Sequence, residues 1–579
     1  MSSALGLSAL PEARRSELVS VARDFVFAKA DYRFTPEERR VLEPFFTNLD
    51  QRVFFMHSLP SNVMATLASM FSRLKNRRGI RGVFVDAFLP GILASMLPEL
   101  SEDDGVDVEA FLREKNISNL RQFIGYSRDA AAVFEWFAAN APDKKYVRLL
   151  ADSKKAKKFL GMYLDQYGHN SIARMGEVWL CFERVSILTA KSVEWTRPGV
   201  GYVELSTRFV DMKSAEVYPI ENELAFLEVS QSAVRNNVEL LFKSYRELQG
   251  EKLDGLFPQF LREKWGGLVQ EAGGKVELGV SGETFDVLGN LLPASTLTSV
   301  AVAVSGESLP SILKHLILDD TAENLAVVEL VIQEASKIGA DQFIRHLEPS
   351  FVDTLGWQYM LPESFGSSGF GMEPFRNVPD SHTTAQAICE SMGLRHDFYG
   401  MNIETLAAEL FKEGRKDHDK LPRDFEVVTV PFRGVMSFRS WRDLHRQGFS
   451  THRRTPLTPY LGFYEYDKPA PSELVAHFFL AEQRSADLYR RNMYNVPPLV
   501  LQYILPIGFN VGFIYSANLR QHEFCDWQRT KPSVNHEVRQ IFLSVEKGLR
   551  RLYPWWPLFS RADMTPAYVF ARGSAVQLP

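Results

Sequence analysis

Two distant stretches of this chain follow one pattern, and a repeat of that length limits the fold more than any local propensity does. From Asn290, NLLPASTLTSVAVAVSGESLPSILKHL sets a Leu-Pro before an apolar run, a polar turn and a helical stretch. From Tyr503, YILPIGFNVGFIYSANLRQHEFCDWQR does the same. A constant offset of 213 residues carries Pro293 onto Pro506 and keeps the following helices in phase. Upstream, VWLCFERVSILTAK (178–191) parallels VVTVPFRGVMSFRSWRD (427–443): an apolar run, a short basic turn, a serine, then a helix. Apolar runs read as strands and 3.6-residue periodicity as helices. The expected class is α+β, with two tandem copies of one fold, each a mixed sheet with packed helices. The boundaries expected are a mostly helical N-terminal extension over 1–115, a first copy over 116–345 and a second over 346–579. The first copy carries an insertion near 251–283, where the glycine-rich run 265–283 reads as a surface loop.

Local signals fill in the copies. Residues 145–167 read as a helix stopped by Gly168, 178–186 as a strand, 186–195 as a helix and 220–249 as one helix. Ser533 is the expected N-cap of the last helix, whose stripe is Val538, Ile541, Phe542, Val545 and Leu549. Its counterpart in the first copy runs through Leu325, Val328 and Ile332.

A chain of 579 residues is too long for one core. Its formal net charge of -5 supplies no global field toward nucleic acid or anionic membrane. The apolar stretch 496–517 holds Gln502, Asn510 and three prolines, so it reads as a buried element and not as a membrane span. Three scattered cysteines, Cys181, Cys389 and Cys525, argue for a reducing compartment. No basic-then-apolar leader is visible, and a cytoplasmic protein is expected.

Several chemistries lack their motifs. There is no GxxxxGK[ST], no HExxH, no paired CxxC and no GxSxG. His522 and Cys525 have no second ligand pair, so no metal is expected. Three constellations remain. In YGHNS (167–171), His169 and Ser171 follow a helix end. In GYVELSTRF (201–209), an extended strand would put Glu204, Ser206 and Arg208 on one face. In 517–537, Asn518, Arg520 and Arg529 surround a short helix, and Arg529 precedes another helix N-terminus, a place that favours anions.

Taken together, these residues resemble the flavin-dependent thymidylate synthases. That family carries GHxS, then RHRxxSxNExSxRY, then a Leu-Pro segment, an Asn-x-Arg turn and an arginine eight residues before a helical glutamate. Here stand Gly168-His169-Asn170-Ser171, Glu204-Leu205-Ser206-Thr207-Arg208-Phe209, Leu505-Pro506, Asn518-Leu519-Arg520, and Arg529 eight before Glu537. The chain departs at RHR, where it has Thr196-Arg197-Pro198. It departs again at the phosphate arginine before Leu-Pro, which is Gly289 in one copy and Gln502 in the other. The first copy keeps the ExSxR strand and the second keeps the late arginine, which points to one composite site.

The resemblance implies reductive methylation of dUMP, with FAD as cofactor and NADPH and methylenetetrahydrofolate as co-substrates. It implies Arg529 and Glu204 as catalytic residues and Ser206, Arg208 and Arg529 as substrate contacts. It implies His169, Ser171, Arg197, Glu204, Asn518 and Arg520 as cofactor contacts. The expected partner is a small nucleotide, without nucleic acid or membrane, in a homo-oligomer that is a dimer of pseudo-dimers. The alternatives are a related flavin enzyme acting on another pyrimidine nucleotide, and a non-catalytic nucleotide-binding or scaffold protein.

Overall fold

The computed structural model describes residues 5–29, 34–59, 67–68, 71, 78–88, 176–194, 200–208, 210–357, 359–366, 368–393, 402–572 and 575–579. The expected helix at 145–167 and the YGHNS loop lie outside them. The chain divides into two compact units. One is Pro11–Ser206 with Leu297–Ser350, and the other is Met1–Leu10, Thr207–Thr296 and Phe351–Pro579.

The first of these is built on a four-stranded sheet of β1 (Val53–Met56), β2 (Glu177–Ser186), β3 (Val200–Glu204) and β4 (Leu297–Ser305), in the order β1-β2-β4-β3. The N-terminal stretch therefore contributes an edge strand. Its helix Glu12–Phe27 buries Leu18, Ala22 and Val26, one stripe at helical spacing, and packs on helix Ala322–Ser336.

The other unit repeats the arrangement with β5 (Gly371–Pro374), β6 (Thr429–Ser437), β7 (Ser450–Arg454) and β8 (Asn510–Asn518), in the order β5-β6-β8-β7. Where a mixed sheet was expected, every described pairing is antiparallel. The strands that run the same way, β2 with β3 and β6 with β7, are kept apart by the returning β4 and β8.

The serine of each strand–helix repeat has one job in both sheets. Ser186 closes β2 and caps helix Ile187–Val193 by accepting from the Thr189 N–H. Ser437 closes β6 and caps helix Phe438–His445 through the Ser440 N–H. In each case a helical glutamate accepts from the serine's own N–H at 2.8 Å, Glu323 for Ser186 and Glu537 for Ser437. Two equivalent sheets with equivalent caps fit a tandem duplication.

The unit holding the second sheet also contains the reciprocal contacts that a duplicated pair would make. Pro293 and Pro506 face each other in an antiparallel bridge. Ala294 N–H donates to the Leu505 carbonyl, and Ile507 N–H donates to the Leu292 carbonyl, each at 2.8 Å. The 213-residue offset exchanges these two bonds. Helices Gln231–Gln249 and Ser472–Asn492 pack together. There Asn237 meets Ser485 at 3.1 Å and His477 meets Ser244 at 3.0 Å. An offset of 241 carries Gln231 onto Ser472 and Ser244 onto Ser485.

Three local expectations are corrected. The 220–249 segment is two helices, Ile220–Ala225 and Gln231–Gln249, parted where Glu228 takes a positive φ of 63°. The last helix, His536–Leu552, is capped by Asn535 and not by Ser533, because the Asn535 side chain reaches the Val538 N–H at 3.2 Å. The glycine-rich run is not a loop: it lies within helices Leu256–Glu271 and Val276–Leu288 and the turn between them. Two of its glycines serve close packing. A Cβ on Gly279 would stand 2.5 Å from the Phe570 ring, and one on Gly282 would stand 2.8 Å from the Arg572 side chain.

Candidate functional site

The strand of the ExSxR motif stops at Glu204, so the alternation expected through Arg208 does not continue. Leu205 and Ser206 follow without regular structure, and Thr207 and Arg208 lie in a turn. Glu204 is 2% exposed and takes the buried Lys191 ammonium at 2.8 Å; Glu194 shares that ammonium. Ser206 is half-buried. These two residues belong to the unit with the first sheet, and Arg208 to the other.

Arg208 and Arg529 converge. Arg208 grips Asp286 bidentately, with Nε to Oδ1 and Nη2 to Oδ2 both at 2.9 Å. It also donates to the Ser533 carbonyl at 3.3 Å. Arg439 donates to the same Asp286 Oδ1 at 2.9 Å. A second aspartate, Asp443, sits among the same cations. Burial presses its carboxyl up, but Arg446, Arg208, Arg529 and Arg439 outweigh burial and hold it below the ordinary carboxylate value. Arg529, half-buried, has no hydrogen bond or ion pair among the described residues, and its Nε is buried without a partner. Neither Asp526, three residues before it, nor Glu537, eight after it, pairs with this arginine.

Arg208, Arg439, Arg446 and Arg529 thus act on Asp443, and Arg208 and Arg439 donate to Asp286. A cluster of partly desolvated guanidinium groups suits an anion with several acceptor oxygens. Gly289, the residue before Leu-Pro where the family pattern has arginine, leaves a gap in this cluster. A Cβ there would be 2.5 Å from Arg439 Nε. The Arg439 guanidinium occupies the space that a side chain at 289 would need.

The sequence reading missed Asp286, Arg439 and Asp443. Asp286 lies at the C-terminal end of the helical region whose glycines had been read as a loop. Arg439 and Asp443 stand in the repeat stretch 427–443, where the serine and the helix drew attention. One turn before Asp286, Glu283 accepts from Lys468, from Tyr466 at 3.0 Å and from Ala571 N–H at 3.3 Å. His536 stands 3.3 Å from its other oxygen, and together these cations hold Glu283 far below the usual range despite full burial.

The residues expected at a flavin are otherwise placed. His169, Ser171 and Arg197 lie outside the described residues. Asn518 caps helix Leu519–Arg529 through the Gln521 N–H at 2.9 Å. Arg520 donates to the Leu421 carbonyl at 2.6 Å and pairs with Glu426 at 2.7 Å. With Glu204 held by Lys191, none of the three described residues offers an open contact to a flavin.

Burial lifts the Cys525 thiol to about 12 and the Cys181 thiol well above its ordinary value, and Cys389 is also buried. No described group of three or more His, Cys, Asp or Glu side chains is placed to hold a metal ion. No described helix is long and apolar enough to cross a membrane. A separate cavity of about 740 Å³ opens beside β5, lined in part by Phe370, Met372, Arg376 and Arg433; none of the expected site residues lines it.

Fold and cluster together define a class: an α+β protein with two equivalent four-stranded sheets and a cluster of arginines around Asp286 and Asp443. Residues 124–338 match the family model described as thymidylate synthase complementing protein. Relatives along most of the chain are UPF0159 proteins. One from Chlamydia muridarum is 24% identical over 561 residues, covering 91% of this chain and 94% of the relative. One from Thermoplasma acidophilum is 22% identical over 472 residues, covering 73% and 93%. Among solved structures, a UMP/dUMP methylase PolB from Streptomyces cacaoi, bound with 5-Br UMP, is similar at 15% identity and a TM-score of 0.26. That match covers 34% of this chain and 96% of the methylase.

Proposed function

We propose that this chain binds a pyrimidine nucleoside monophosphate, dUMP foremost, and methylates it at the base, in a site to which both repeats, 116–345 and 346–579, contribute. One observation carries the reading: Arg208 of the first repeat, while gripping Asp286 at 2.9 Å, donates to the Ser533 carbonyl of the second, four residues past Arg529, at 3.3 Å. Arg208 and Arg439, braced by Asp286, hold the phosphate. Arg529, which makes no hydrogen bond or ion pair among the described residues, stabilises charge developing on the pyrimidine oxygen, an electrostatic role of about 3 kcal/mol for a single donor of this kind. The family match supports the reductive form of the reaction, with FAD, NADPH and methylenetetrahydrofolate. The same reading carries a cytoplasmic location and a homo-oligomer.

One finding favours a second reading, nucleotide binding without flavin chemistry: Glu204, Asn518 and Arg520 are all engaged within the protein. The discriminating experiment is a calorimetric titration of the purified protein with dUMP and UMP, alongside its absorbance spectrum. Binding that weakens at least tenfold in both Arg208→Gln and Arg529→Gln is expected, with flavin bands in the preparation. Binding in a colourless protein would select the second reading. Absence of binding to either nucleotide would end both.

A further inference from the structure

The cavity beside β5 shares no residue with the arginine cluster and has a chemistry of its own. β5 is an edge strand, hydrogen-bonded to β6 alone. Helix His536–Leu552 packs against it. The cavity, about 740 Å³, is lined by the stretch leading into β5, by β5 itself, by Arg433 and Gly434 of β6 and by Ser544 of that helix. Its size lies within the range of small-molecule sites, about 300–1,000 Å³. All of these residues belong to one compact unit.

Two glycines shape the wall. Gly371 takes a φ of 135° where the chain enters β5, a conformation that side-chain-bearing residues rarely adopt. A Cβ on Gly434 would stand 2.3 Å from the Gly371 carbonyl oxygen and 2.7 Å from the Met372 side chain, so β5 closes on β6 only because position 434 is bare. Glu373 and Arg433 are register partners across the two strands, the placement at which opposite charges ordinarily pair. Arg433 nevertheless makes no ion pair among the described residues. Its Nη2 donates to the Ser364 carbonyl at 2.6 Å, and its guanidinium carbon stands 4.8 Å from the centre of the Phe365 ring, which is buried. The guanidinium is thus held in place while its remaining N–H groups have no partner among the described residues. Arg376, two residues past β5, makes no hydrogen bond or ion pair there either. The N–H groups of Gly369 and Phe370, on the same wall, likewise make no hydrogen bond among the described residues. The Phe370 ring beside them is 52% exposed.

We propose that this cavity is a second ligand site, separate from the nucleotide site, and that it takes a small oxyanion, phosphate or carboxylate, borne on a flat ring. Arg433 and Arg376 supply the charged forks, and Phe370 supplies an apolar face for the ring. Fixing Arg433 on a carbonyl and a buried aromatic in advance reduces the ordering that binding would otherwise require.

The experiment titrates the full chain calorimetrically with phenyl phosphate and with benzoate. The Kd for the tighter probe is expected to rise roughly tenfold or more in Arg433→Gln and in Arg376→Gln, the range for losing a charged hydrogen bond. Arg376→Gln removes no contact within the protein, so its melting temperature should match that of the natural chain. Gly369→Leu leaves both arginines in place; a Cβ there meets nothing within 4 Å, so the added side chain takes up open space and should weaken the same probe. If Arg433→Gln does not fold without its bond to Ser364, the other two variants carry the test. Phenyl phosphate bound more tightly than benzoate assigns the phosphate, and the reverse order assigns the carboxylate. Affinity for dUMP should be unchanged in all three variants. Failure of both probes to bind at millimolar concentration would overturn the proposal, as would probe binding that is equal in the natural chain, Arg376→Gln and Gly369→Leu. The nucleotide reading stands or falls separately, through Arg208 and Arg529.

Discussion

Arg529 and Asp526 stand three residues apart on one helix and show opposite relations between a charge and its surroundings. Arg529 has lost part of its hydration without gaining a hydrogen bond, an arrangement that folding alone does not reward. Arg529→Gln should therefore weaken nucleotide binding while the ligand-free melting temperature holds or rises. A fall in melting temperature with unchanged binding would make it a structural residue. Asp526 is fully buried, facing Glu546 and Glu523, with no basic partner among the described residues. Burial first, and then those two carboxylates, raise its pKa well above the ordinary value. An acid raised on folding contributes stability that is full below its unfolded pKa and is lost as pH rises through the folded one. Asp526→Asn cannot ionise. Its melting temperature should match the natural protein in acid and exceed it by a growing margin, reaching a few degrees, as pH rises from the ordinary aspartate value. Parallel melting curves across that window would refute the assignment.

At the scale of elements, the two serine-capped strand–helix units show how much could be read in advance. Their spacing, the apolar runs and the buried stripe of the last helix were legible because each is a local consequence of period and capping. Ser437 also shows what local reading leaves out. Its hydroxyl donates to Glu537 at 2.6 Å, and Ser440 donates to the same carboxylate oxygen at 2.5 Å. Ser437→Ala removes a cap and one donor to a buried carboxylate, so a loss of about 2 kcal/mol in denaturant unfolding is expected. A loss below about 0.5 kcal/mol would mean that water replaces the hydroxyl. The glycines of 265–283 were misread because glycine has two uses, turning the chain and admitting a neighbour, and composition cannot separate them. Gly279 and Gly282 are the second kind, and their partners, Phe570 and Arg572, lie almost 300 residues away. Arg208 and Arg529 were legible through motif spacing. Asp286, Arg439 and Asp443 were not, since ordinary helical positions reveal nothing until the helices are placed together.

On the scale of the whole molecule, the repeat boundary in sequence and the boundary of the compact units fall in different places. The sequence pattern places the expected break between copies near 345–346, yet residues 207–296 belong to one compact unit with 351–579. What joins them is the kind of contact that does not come apart in water. Leu-Pro segments exchange two backbone bonds, Lys468 with Glu283 and Arg439 with Asp286 are buried ion pairs, and the aromatic pair Tyr218–Tyr503 is buried too. Breaking a buried ion pair by removing one partner costs about 3–5 kcal/mol, because the other charge is left in the interior. Covalent continuity between the copies should therefore be dispensable once the chain has folded. A specific protease site placed between Glu348 and Phe351, where the Phe351 and Val352 side chains are 77% and 76% exposed, tests this directly. After complete cleavage, the two pieces should elute together from a sizing column in native buffer and keep the dUMP affinity of the uncut chain. They should separate only in denaturant. Pieces that part in native buffer would show that the reciprocal contacts are too weak to hold one half-site against the other.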